Sequence, residues 1–185
     1  MIENINITGA TVSAELHALL YEYVFGYDGV FNYGNKLSYV IVSNNEIKIN
    51  DGLLLNQGRF MRIKIGSTES VAIENGTSGA KRCDLIVAHF ETNGITEIHD
   101  IRVIKGTSAS EPAYIKGDTF NGATVNELPL YAVHLDGLAI SSVERKFTLI
   151  DSLKDNVAKQ HAILSGTTTP TNDIGNDGDI YILIE

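Results

Sequence analysis

A chain of 185 residues can enclose one well-buried core with at most a small appended module, and 43% hydrophobic against 20% charged residues excludes a disordered polymer. The net charge of −9, with no cluster of lysine and arginine, argues against nucleic acid as a partner and against docking on an anionic membrane.

The opening residues Met1 to Ile5 carry neither a basic stretch nor an apolar core, and no apolar run approaches the length of a bilayer span. A soluble product of the cytoplasm without membrane insertion is expected. Helical periodicity first appears over residues 13–26, where Leu16, Leu19, Leu20, Tyr23 and Val24 recur at helical spacing. Ser13 can cap that helix, Glu15 suits its first turn and Gly26 can end it. One stripe of this amphipathic N-terminal helix is expected to be buried.

From residue 27 to about 147 the pattern changes to short apolar runs, giving strands at 37–42, 46–49, 52–55, 59–65, 71–74, 84–91, 96–104 and 130–135. Asn44-Asn45, Asn50-Asp51-Gly52, Gln57-Gly58, Asn75-Gly76 and Asp136-Gly137 mark turns. Many closely spaced strands predict a mainly β fold, an antiparallel sandwich or barrel. Asn93-Gly94 predicts a two-residue type I′ hairpin. If Thr92 pairs with Ile95, Ile86 lies opposite Ile101, Ala88 opposite His99 and His89 opposite Ile98, so the two histidines point to opposite faces. Residues 106–126, with Pro112 and several glycines, read as a long loop and a candidate arm or partner-binding excursion.

After Phe147 the period turns helical again. Thr148 with Asp151 resembles a capping box, Ile150, Leu153, Val157 and Leu164 fall near heptad spacing with Gln160 between them, and Gly166 ends the run. About two heptads cannot hold a coiled coil alone, so this stripe must pack on its own sheet or on symmetry mates. Residues 179–184 read as a short terminal strand with an adhesive edge. The expected division is an arm and helix at 1–28, a β domain at 29–147, and a helix, linker and strand at 148–185. Ile150, Leu153, Val157, Gln160, Leu164, Ile180 and Ile182 form the candidate oligomer interface.

Reactive groups do not assemble into a recognisable site. Cys83 is the only cysteine, which excludes an internal disulfide, and a small buried strand residue is the expected role. His17, His89, His99, His134 and His161 lack metal-ligand spacing. Neither a Gly-x-Ser-x-Gly elbow nor a phosphate-binding loop is present, and Asn75-Gly76-Thr77-Ser78-Gly79 reads as a plain turn. The acidic stretch 172–179 resembles a calcium loop, but Gly175 stands where a ligand is needed and Ile184 where a bidentate Glu is needed. An Asx-rich turn is expected there. Glycosidase chemistry needs two carboxylates in one cleft, with Asp100 and Glu97 or Asp118 and Glu111 as the nearest pairs. The aromatic group Tyr21, Tyr23, Phe25, Tyr27, Phe31, Tyr33 and Tyr39 suits a core or a subunit contact. Tyr27, Tyr33 and Tyr114 are the candidate partner or glycan contacts. Asn6-Ile7-Thr8 and Asn75-Gly76-Thr77 match glycosylation sequons by coincidence if the chain is not secreted. The expectation is a protein without catalysis, metal or cofactor.

Several blocks carry a family likeness. Val40-Ile41-Val42-Ser43-Asn44-Asn45-Glu46-Ile47, Asp51-Gly52, Gln57-Gly58-Arg59, Glu74-Asn75-Gly76-Thr77, Arg82-Cys83-Asp84-Leu85-Ile86-Val87-Ala88, Val103-Ile104-Lys105-Gly106, Pro112-Ala113-Tyr114 and Leu128-Pro129-Leu130-Tyr131 occur in that order. Together they resemble the tail and baseplate structural proteins of phages and prophages of Gram-positive bacteria. Gly166-Thr167-Thr168-Thr169-Pro170 with Gly175-Asn176-Asp177-Gly178-Asp179-Ile180-Tyr181-Ile182 is similar to a segment of phage tail fibres. The resemblance implies a virion component at the tail tip that mediates assembly and host attachment as an adaptor or receptor-binding protein. It also implies partners among other tail proteins and copies of itself, as a trimer or a multiple of three. A carbohydrate-binding module for host cell-surface polysaccharide is the alternative.

Overall fold

A computed structural model of the chain describes residues 12–171 and 173–184. The opening five residues, the Asn6-Ile7-Thr8 sequon and Asn172 of the acidic stretch lie outside them. One compact unit ends at Ile150 and a second begins at Asp151. The fold is mainly β with antiparallel sheets, a helix near the start and a short strand near the end.

Helix α1 (Ala14–Phe25) begins where the Ser13 hydroxyl accepts the Leu16 N–H at 3.1 Å. It ends at Gly26, whose φ of 74° suits a left-handed cap. The face it buries matches the expected stripe only at Leu16 and Leu19. Ala18 is buried and Leu16, Leu19, Glu22 and Phe25 are half-buried, whereas Leu20 is exposed, Tyr23 is 83% exposed and Val24 is 74% exposed. A helix apolar on nearly every side gives its periodicity no single answer. Close approach decides instead: a Cβ on Gly58 would lie 1.7 Å from the Ala18 carbonyl oxygen, so two small residues let the helix seat there. Tyr21 and Phe25 then meet Phe60 edge-on, with ring centroids 4.9 and 6.2 Å apart.

The first sheet holds β1 (Gly29–Phe31), β2 (Tyr39–Ser43), β3 (Glu46–Asn56) and β4 (Arg59–Ala72). The runs at 46–49 and 52–55 are a single strand, because Asn50-Asp51-Gly52 makes no turn and the register shift there is a bulge of β4, whose residues 64–67 lie opposite Asp51. The runs at 59–65 and 71–74 likewise merge into β4. Asp51 earns its place at the bulge by accepting the Asn35 N–H at 3.1 Å and the Asn35 side-chain amide at 2.6 Å. Those bonds hold its carboxyl below the usual carboxylate range.

The second sheet runs β6 (Glu97–Ile104), β5 (Lys81–Thr92), β7 (Val125–Asp136) and β8 (Ala139–Arg145). The β5–β6 hairpin pairs Thr92 with Glu97, not Ile95, so the turn is four residues long. The Asn93 side chain explains the extra length, since its Oδ1 accepts both the Ile95 and Thr96 N–H groups. A slip of two keeps every side chain on its expected face, and His89 (opposite Asp100) and His99 (opposite Phe90) do point apart. In β7, Pro129 sits at a register shift, where a missing N–H is tolerated. Side chains from both sheets, among them Val30, Ile47, Leu54, Ile86, Leu130 and Val133, share one core.

The helix expected after Phe147 is largely replaced. Leu149–Ile150 is a strand, β9, paired in parallel with β1, and Ile150 is 2% exposed in the core. Capping moves downstream: the Ser152 hydroxyl accepts the Asp155 N–H at 3.1 Å and opens α2 (Leu153–Ala158). β10 (Ile163–Gly166) and β11 (Ile180–Leu183) then pair in parallel, which removes Leu164 from the helix. Ile150 therefore leaves the candidate oligomer stripe altogether, and the heptad spacing breaks at Lys159.

Candidate functional site: a groove beside the first helix

The β3–β4 turn sets the geometry of a cleft in the first unit. Gln57 and Gly58 both have positive φ, 45° and 71°, as a type I′ turn requires. This turn aims the Gln57 side chain at the loop before β7. Its amide donates to the Gly117 carbonyl, and its Oε1 accepts the Thr119 N–H at 2.9 Å and the Thr119 hydroxyl at 2.7 Å. Its main-chain N–H donates to Asp28 Oδ1.

The loop expected as a free arm is pinned along its length. Ser108 accepts the Cys83 N–H at 2.8 Å, and Asp84 Oδ1 accepts the Gly106 N–H at 2.9 Å. Glu127 Oε2 accepts the Ile115 N–H at 2.6 Å, and Asn126 Oδ1 accepts the Gly117 N–H at 3.1 Å. Asn126 in turn donates to Asn56 Oδ1 at 2.6 Å, and the Asn56 amide donates to the Ala88 carbonyl, joining the two sheets through buried amides. His89 is part of the same support, with Nδ1 3.1 Å from Glu127 and Nε2 3.3 Å from Glu91.

Between this loop and α1 lies a groove of about 740 Å³. Glu22, Asp28, Lys116, Asp118 and Asn126 give it polar walls, and Tyr23, Tyr114 and Phe120 give it aromatic ones. Burial, and then the neighbouring Asp28 charge, push the Glu22 carboxyl above its usual range. Burial also raises Asp28, opposed by the Gln57 N–H. Glu22 Oε2 is buried without a hydrogen-bond partner among the described residues. Carboxylates that accept hydrogen bonds, beside amide groups that also donate them, suit a hydroxylated ligand. On the other side of α1, His99 lies in a smaller slot with Phe60, Phe90 and Arg59. Burial, followed by the Arg59 charge, brings its pKa down to about 4.

Only Tyr114 of the three candidate contact tyrosines lines the groove; Tyr27 and Tyr33 are exposed outside it. On the second unit Leu153 is 80% exposed, and Val157, Gln160, Ile180 and Ile182 are exposed with it, while Leu164 is half-buried beside Tyr181. The proposed carboxylate pairs do not converge. Asp100 pairs with Arg102, Glu97 with Arg59 and Glu111 with Lys146, while Asp118 caps the short helix Thr119–Asn121. Sequence reading passes over Glu22, Asp28 and Gln57, which lie far apart in the chain and match no motif. The turn mark at Gln57-Gly58, the candidate contact Tyr114 and the loop 106–126 were the signals that pointed to this place.

Cys83 is buried, and burial followed by the Glu111 charge raises its thiol pKa. Asp179 accepts the Asn176 and Ala162 N–H groups at 2.7 and 2.6 Å, so the acidic stretch is an Asx-type turn. Among the described residues no three His, Cys, Asp or Glu side chains gather as metal ligands, and no helix is long and apolar enough to cross a membrane. No protein-family model matches the chain, and no curated protein matches it.

Proposed function

We propose that this chain is a structural component of a phage or phage-like tail tip or baseplate, acting in subunit assembly and host attachment rather than in catalysis. The ordered sequence blocks from Val40 to Tyr131 suggest the family. The observation that supports an assembly role is the set of large apolar side chains left in solvent: Leu20, Tyr23 and Val24 on α1, and Leu153, Val157 and Ile180 on the second unit. Closed symmetry with copies of itself, as a trimer or a multiple of three, or contact with neighbouring tail proteins, would cover them. Proteomics of purified tail particles, together with the mass of the protein in solution, tests the reading. A stable monomer absent from the particles ends it.

A second reading has its own support in the groove. Its mixed carboxyl, amide and tyrosine walls suit a hydroxyl-rich glycan of the host cell surface. Binding on a glycan array that Tyr114→Ala abolishes, and Tyr33→Ala leaves intact, would favour it. Absence of binding by the wild-type chain counts against it.

A further inference from the structure

Of the strands longer than two residues at the margins of the two sheets of the first unit, β2 differs in its chemistry. β4 carries Arg59, Arg62, Lys64 and Glu69, β6 carries Glu97, Asp100 and Arg102, and β8 carries Glu144 and Arg145. Such charges keep a sheet edge from pairing with another chain. β2 is Tyr39-Val40-Ile41-Val42-Ser43, without a charge or a proline, and its three aliphatic residues are 44–52% exposed. Its partner on one side is β3, and among the described residues no strand pairs with its other side.

The ladder fixes which groups that free side offers. The Asn50 N–H donates to the Ser38 carbonyl at 2.7 Å, and Tyr39 lies opposite Ile49. Antiparallel pairs alternate between hydrogen-bonded and non-bonded. The main chain of Val40 therefore faces β3, and the N–H and C=O of Tyr39 and Ile41 face outward.

We infer that β2 is a docking edge for β2 of a second copy of this chain, paired antiparallel about a two-fold axis at Val40. In that register Tyr39 meets the partner's Ile41 and Ile41 meets the partner's Tyr39. Each of these pairs exchanges two hydrogen bonds, so all the outward groups of both residues are used. Val40 faces the partner's Val40 as a non-bonded pair, where side chains approach closest. Tyr39 and Ile41 form an aromatic and β-branched cross-strand pair of the kind that stabilises sheets. The occupant is a second copy because the edge complements itself in this register. With a net charge of −9, contact between copies is favoured where the strand itself adds no charge, as along β2. One five-residue edge buries less than the roughly 1,200 Å² of a stable interface, so the isolated pair is weak and concentration-dependent. The inference stands on edge geometry alone and is independent of the tail-particle reading.

A disulfide trap on the full chain tests the register. Residues in a non-bonded antiparallel pair have Cα atoms about 4.5 Å apart, within disulfide reach, so Val40→Cys will form a covalent dimer with oxidised glutathione. In Val42→Cys the two thiols would be offset by about 13 Å, beyond reach, and that variant will stay monomeric. The native Cys83 is buried and does not compete. Adding Ile41→Lys to Val40→Cys will lower the dimer yield at least about tenfold by placing like charges at the edge. Ile41→Pro will do the same by removing one outward N–H while leaving the β3 ladder intact. Circular dichroism of both variants checks that the fold is retained. A monomeric Val40→Cys protein, equal cross-linking of Val42→Cys, or a yield unaffected by Ile41→Lys each overturns the inference.

Discussion

Replacing Arg82 by Ala gives the sharpest test of what holds the second sheet to its loop. Asp84 lies in the middle of the fold with its side chain 1% exposed, and Arg82 grips it through Nε at 2.8 Å and a second guanidinium nitrogen at 2.9 Å. The same guanidinium donates to the carbonyls of Glu74 and Asn75, tying down the segment after β4. Removing it leaves a buried carboxylate whose remaining donor is the Gly106 N–H. Breaking such a pair from one side costs about 3–5 kcal/mol. For a chain of this size that lowers the melting temperature by about 6–20 °C. Urea unfolding, followed by tyrosine emission and far-UV circular dichroism, reads the loss. Replacing both partners, as Arg82→Met with Asp84→Leu, removes the stranded charge and will recover stability to within about 2 kcal/mol of wild type, the residue of the loss being the orphaned Gly106 donor and the guanidinium bonds to the Glu74 and Asn75 carbonyls. A single Arg82→Ala variant within about 1 kcal/mol of wild type would refute this account.

Three further outcomes follow from particular contacts. Gly58→Ala places a methyl group against the Ala18 carbonyl at a positive φ, so α1 will detach and limited proteolysis will cut it from the body, whereas Gly94→Ala, with open space around it, will not release the helix. His99 is neutral in the fold with its pKa near 4 and is expected to titrate near 6.5 when unfolded; the stability it contributes is complete above pH 6.5 and is lost as pH falls toward 4, by up to about 1.4 kcal/mol per pH unit. Stability of His99→Gln compared with wild type from pH 7 to 4.5 checks the sign, and parallel curves would count against it. The Tyr131 hydroxyl donates to the Leu37 carbonyl at 2.7 Å and burial pushes its pKa up to about 12. Tyr131→Phe will cost about 1 kcal/mol and delete the latest step in an alkaline absorbance titration.

Much of the fold was legible in the chain, and its failures share a physical cause. Ser13 and Gly26 marked α1 within a residue, because capping is a local event between a side chain and the nearest N–H groups. Asn44-Asn45, Gln57-Gly58 and Asp136-Gly137 marked real turns for the same reason. Asn50-Asp51-Gly52 looked alike but stays within β3 opposite a bulge of β4, since the ladder continues on either side of it. The helix after Phe147 failed because Ile150 gains more from a dry core beside β1 than from a short exposed helical turn. The groove was hidden because its walls come from α1, the β3–β4 turn and the loop before β7, whose residues approach one another only after folding.

Local chemistry written in the sequence therefore determined the class of the protein: capped helix, turn residues, alternating strands, one buried thiol and an acidic surface. Tertiary packing decided which face of α1 is wet and that β2 is left as an uncharged margin of the first sheet. These depend on contacts between segments far apart in the chain, such as Gly58 on Ala18, and a close approach of two backbones leaves no periodic trace in the sequence of either.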